Sequence, residues 1–143
     1  MEEQIEKTMK RAFYDLIDSN CSCVPPDYDW LERLYKELKS MILMYLKKDS
    51  KVYKTIDESF DEELFSQMIR ADVFSMESML KLVDNTFYWI KELGSPARDQ
   101  DTDDAKSKVL SSGAEKMIST FLKESHQCLD NYHTDMRNHL LKV

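Results

Sequence analysis

The chain has 143 residues, 42% of them apolar and 33% charged, with a net charge of −7. That length is about one domain, large enough to bury a core without disulfides or a structural metal. The acidic balance speaks against a nucleic-acid binder, which neutralises phosphates with clustered Lys and Arg, and against docking on an anionic membrane.

The first stretch is amphipathic and acidic at its start, unlike a secretory signal. Ile5, Met9, Ala12, Phe13, Leu16 and Ile17 recur at three- and four-residue steps, predicting a helix over residues 2–19. Pro25 and Pro26 forbid its continuation. Asp27 or Asp29 is placed to cap the next helix, and Glu32, three residues beyond Asp29, completes a capping-box pattern. Trp30, Leu31, Leu34, Tyr35, Leu38, Met41, Ile42, Tyr45 and Leu46 carry that helix towards Lys47 and Lys48, cations suited to the negative end of the helix dipole. The longest apolar run, residues 41–46, falls far short of the ~18 residues of a membrane span.

Residues 49–74 keep helical spacing through Val52, Ile56, Phe60, Leu64, Phe65, Met68 and Ile69, interrupted by the acids at 57–58 and 61–63. Two short helices, 51–60 and 61–71, are predicted, with one bent helix as the rival. Ser75 reads as the N-cap of a long helix whose stripe runs from Met76 to Leu93. Gly94 then closes it, in the left-handed conformation that glycine permits, and Pro96 prevents its resumption. Residues 95–105 are polar, acidic and without periodicity, and so read as a linker. A last helix is firm from Ala114, through Met117, Phe121, Leu129, Tyr132, Met136 and Leu140, and starts near Ala105 or at Gly113. The sum is an all-α chain, a single bundle of five or six helices over residues 1–143. Only two glycines and three prolines are present, too few for the turns of a sheet protein.

Chemistry-bearing constellations are sparse. Three cysteines, Cys21, Cys23 and Cys128, make no disulfide framework and fit a reduced, intracellular setting. His126 and His133 share a helix face, but Cys21-Ser22-Cys23 lacks the usual spacing of a zinc hook. No nucleophile elbow or phosphate-cradling loop is present, so no catalytic residue, metal or cofactor is expected. Met41, Met44, Met68, Met76, Met79 and Met117 could line an adaptable groove for a partner helix, although ordinary core filling explains methionines more often. Ser50 follows two lysines and Ser95 precedes Pro96 and Arg98; both fit phosphorylation patterns. A phosphate on Ser95 would sit at a helix C-terminus beside acids, a destabilising place unless Arg98 answers it.

The order of three landmarks resembles the amino-terminal part of the T-complex protein 11 family: Pro25-Pro26-Asp27-Tyr28 opening a helix, Asp61-Glu62-Glu63-Leu64, and Pro96-Ala97-Arg98-Asp99 ending one. The resemblance runs from about Arg11 to the end of the chain. Members are usually much longer all-helical proteins, so it implies a fragment or a shortened member. It also implies a non-enzymatic, intracellular, cytoplasmic protein linked to cAMP and its protein kinase, and in animals to sperm and flagella. Partners would be proteins of that kinase pathway or of the cytoskeleton. The alternatives are a structural segment that packs on a missing C-terminal half, and a metal-dependent enzyme. Neither helix ending nor solubility requires a cation at Arg98, which is therefore expected to pair with the acids at 57–63 or with Asp99.

Overall fold

The computed structural model describes residues 2–23, 26–71 and 74–141. Seven α-helices carry these residues: α1 (Glu2–Cys21), α2 (Asp29–Leu43), α3 (Lys51–Ser59), α4 (Glu62–Arg70), α5 (Met76–Leu93), α6 (Asp99–Leu110) and α7 (Met117–Leu141). A 3-10 turn, Pro96–Arg98, joins α5 to α6. No strand occurs among the described residues, so the all-α expectation holds.

The longest helix, α7, is central and packs against α1, α2, α5 and α6. Its buried face carries Met117, Phe121, Leu122, Cys128, Leu129 and Tyr132, in the predicted register as far as Tyr132, while Met136 is half-buried and Leu140 is exposed. Helices α3 and α4 cover α2. Across that contact Tyr35 stacks on Phe65, with ring centroids 4.0 Å apart. The break between α3 and α4 is built by side chains. Ser50 Oγ accepts the Tyr53 amide at the start of α3, and Asp61 Oδ1 accepts the Leu64 amide at the start of α4. The acidic knot thus contains a helix cap, which settles for two helices over one bent helix.

Local readings were corrected at five points. No capping box opens α2: Asp27 Oδ1 accepts the Asp29 amide at 3.0 Å, while Glu32 turns away to accept a short hydrogen bond from Ser66 of α4. Secondly, α2 stops at Leu43, before the two lysines. His133 of α7 donates from Nε2 to the Met41 carbonyl at 2.7 Å, taking an acceptor that a longer helix would use. Tyr45 then packs edge-on against Tyr132.

The third correction is Gly94, which is extended (φ −76°, ψ 170°) and not left-handed. Space favours glycine there, because a Cβ would lie 3.0 Å from the Ile90 carbonyl oxygen, tighter than an ordinary contact. Fourthly, residues 99–105 of the expected linker are helical and belong to α6, so that seven α-helices stand among the described residues. Thr102, Ala105 and Val109 are buried at steps of three and four. The periodicity is real but is carried by small residues. Its polar residues are spent on neighbours: Lys91 of α5 meets Asp103 at 3.1 Å, Lys106 meets Asp84 at 3.0 Å, and Lys108 meets Glu124 of α7 at 3.0 Å. Asp99 and Asp101 stand in the first turn, at the positive end of the dipole.

Lastly, the final helix starts at neither expected place. Gly113 breaks the chain at φ +84°, and α7 begins at Met117. An added Cβ at Gly113 would touch nothing within 4 Å, so backbone conformation alone favours glycine there. Gly113→Ala should therefore cost about 1 kcal/mol, and Gly113→Asn less, since asparagine tolerates this region best after glycine. Urea denaturation of both variants checks the order.

Candidate interaction site

Of the three family landmarks, Asp61–Leu64 opens α4, and the other two lie at opposite ends of α5. Pro26, Asp27 and Tyr28 form the corner into α2, where Tyr28 packs edge-on against Phe74, just before α5 begins. Pro25 lies outside the described residues. Pro96, Ala97, Arg98 and Asp99 form the corner after α5, an 18-residue helix about 27 Å long at the usual rise per residue. The chain does not bring these two corners together.

At the second corner Ser95, Pro96 and Ala97 are exposed, while Arg98 and Asp99 are half-buried. Arg98 reaches across to α7. Its Nε donates to Asp135 Oδ2 at 3.0 Å and its Nη2 to Asp135 Oδ1 at 3.1 Å, the fork geometry that suits guanidinium to carboxylate. Asp101 adds a longer contact to Nη1 at 3.5 Å. The hydrogen bonds to Asp135, and then its charge, hold the guanidinium pKa above its ordinary value. The Arg98 backbone is fixed as well, because its carbonyl accepts from Thr102 Oγ1 and its amide donates to the Ser95 carbonyl. Arg98 is thus paired, as expected, but neither with the acids at 57–63 nor with Asp99. Within that knot Asp57 binds Lys39 at 2.8 Å and Asp61 caps α4, so those acids are engaged elsewhere. Asp135 stands 37 residues further on, and no local pattern names it.

The two serines differ. Ser50 Oγ is already used twice, donating to the Lys47 carbonyl at 2.7 Å and accepting the Tyr53 amide at 3.2 Å. Ser95 stands at the N-cap position of the 3-10 turn, exposed, and its side chain makes no capping bond.

Both histidines of α7 that the sequence singled out hold backbone carbonyls. His126 Nδ1 donates to Leu122 O at 2.7 Å, leaving Nε2 3.8 Å from Glu37 Oε1. His133 caps α2 as described. Among the described residues no three His, Cys, Asp or Glu side chains are grouped as a metal would need. Burial first, and then the charges of Asp18 and Asp27, push the Cys21 thiol up to about 12. Burial and then Glu124 push Cys128 up to about 11. Cys23 is exposed. A thiol reagent near neutral pH should therefore modify Cys23 at least about tenfold faster than Cys21 or Cys128, because the thiolate is the nucleophile. Mass mapping of the first adduct, and its loss in Cys23→Ser, tests this.

The methionines do not line one groove. Met76, Met79 and Met117 border a cavity of about 150 Å³ between the ends of α1, α5 and α7, with Asp18 on its wall. Met44, 59% exposed, borders a separate open depression of about 460 Å³ beside Lys39 and Asp57. The surface that stands out is elsewhere. On α1, Ile5, Met9 and Leu16 are 57%, 68% and 49% exposed, although they form the stripe that reads as a core face. Only Ile17 of that helix is buried. Their spacing of four and seven residues places the three on one side of the helix. No helix among the described residues is long and apolar enough to cross a membrane.

Comparison with known proteins agrees with the landmarks. The chain is 27% identical over 101 residues to a human protein, T-complex protein 11 homolog, and 26% identical over 98 residues to mouse T-complex protein 11. These stretches cover 70% and 68% of this chain but only 20% and 17% of the relatives, so the match spans no more than about a fifth of the relatives' length. No solved structure matches. The family profile described as T-complex protein 11 matches residues 1–143, the whole chain, and by that match the chain belongs to the T-complex protein 11 family.

Proposed function

We propose that this chain is a helical interaction module that works through protein contacts and not by catalysis, in signalling linked to cAMP and its protein kinase. The observation that carries the contact role is the apolar side of α1, where Ile5, Met9 and Leu16 stand in solvent at helical spacing. Large side chains in that arrangement are a helix-docking surface when they are not a core face. The link to the kinase pathway, to sperm and to the cytoplasm rests on family membership and on the role the resemblance implies. Calorimetric titration with the regulatory and catalytic subunits of cAMP-dependent protein kinase tests it directly. Binding is expected, weakened at least about tenfold when Ile5, Met9 and Leu16 are all changed to Asp. No binding of either subunit would overturn the pathway assignment.

A second reading has the same surface covered by further helices of a longer protein, and the greater length of the relatives supports it. Scattering in solution separates the two. A monomer with this surface open favours the module, and self-association that the triple Asp variant abolishes favours the structural segment.

A further inference from the structure

We propose that Ser95 is a phosphorylation site for a proline-directed serine/threonine kinase, and that its phosphate takes Arg98 from Asp135 and so loosens α7 from the corner between α5 and α6. Gly94 (ψ 170°) and Ser95 (φ −74°, ψ 151°) run extended between two helices, with the serine exposed and its hydroxyl unused in capping. Pro96 follows directly and Arg98 stands three residues on, the pattern that proline-directed kinases accept. Ser50 offers no comparable site, because its hydroxyl holds the start of α3. In the transfer, Ser95 Oγ attacks the γ-phosphorus of magnesium-bound ATP and the bond to the β-phosphate oxygen breaks. ADP leaves, and the hydroxyl proton passes to the catalytic base of the kinase.

The product carries about 1.5 to 2 negative charges and three strong acceptor oxygens, against the single charge of Asp135. It would lie among acids, with Glu92 before it and Asp99 and Asp101 after it, so the nearest cation decides whether it is accommodated. Arg98 is that cation. The Arg98 amide already donates to the Ser95 carbonyl at 2.9 Å, which closes one turn between the two residues. The side chain is 39% exposed, so it can change partner without opening the core. Phosphate suits the same guanidinium fork as carboxylate does. What Asp135 loses is its two-bond tie to this corner, and Asp135 lies on α7 beyond Tyr132, the last buried residue of that helix.

The test uses the whole 143-residue chain with a cyclin-dependent kinase and ATP. Mass mapping should find phosphate on Ser95, lost in Ser95→Ala. Hydrogen exchange of the amides at 133–138 should then quicken about two- to fivefold, the range in which a half-exposed ion pair acts. Asp135→Asn should show the same quickening without phosphate, and phosphorylating it should add nothing. Failure to modify Ser95, whether or not the same kinase modifies a peptide of residues 90–103, overturns the site. Phosphate on Ser95 with unchanged exchange overturns the switch of partner, as does a further quickening in the phosphorylated Asn variant.

Discussion

Replacing Phe121 with alanine is expected to remove about 3–5 kcal/mol of folding stability, a large share of the ~5–15 kcal/mol that a domain typically has. Phe121 is fully buried on α7, the helix shared by α1, α2, α5 and α6, and meets Phe87 of α5 edge-on with ring centroids 6.2 Å apart. The cost combines lost transfer energy with a cavity that helices held from several sides cannot close. Phe121→Leu keeps most of the volume and should cost less than half as much. Urea denaturation of the three chains measures both differences. A loss below about 1 kcal/mol for the alanine variant would show that α7 is not the centre of the core.

A proline at Asp104 is expected to cost about 3 kcal/mol or more. The residue is exposed in the middle of α6, so the loss would come from the backbone: one helical hydrogen bond removed and a ring pressed against the preceding turn. Asp104→Ala serves as control. It removes only a contact with Gln100 and improves helix propensity, so it should change stability by less than about 0.5 kcal/mol. A linker at 95–105 would tolerate both substitutions equally. The comparison of midpoints therefore tests the helix that the sequence reading left out.

The missed helix shows where pattern reading fails. A search for large apolar residues finds none between Leu93 and Val109, yet Thr102, Ala105 and Val109 sit one helical step apart and are buried. Small side chains let α6 lie close to α5 and α7, and the same smallness hides its periodicity. Arg98 was legible as a residue in need of a partner, but its partner was not. Asp135 is one acid among 27, and nothing local marks it. The stripe on α1 failed in the opposite sense: its spacing was right, and its burial was not.

The sequence by itself determined that the chain is helical, where six of the seven described helices lie, and which face of α2, α5 and α7 is apolar. Those properties rest on interactions within a few residues: backbone hydrogen bonding, capping by Ser50, Asp61 and Ser75, and the 3.6-residue repeat. Only the tertiary structure decided what each polar residue is for. His133 ends α2 by taking the Met41 carbonyl, Glu32 gives up a capping role to reach Ser66, and Arg98 joins the corner after α5 to Asp135. Each bond links residues at least 34 positions apart. A contact at that distance is fixed by how helices pack, and packing is the sum of many weak contacts that no single stretch of sequence contains.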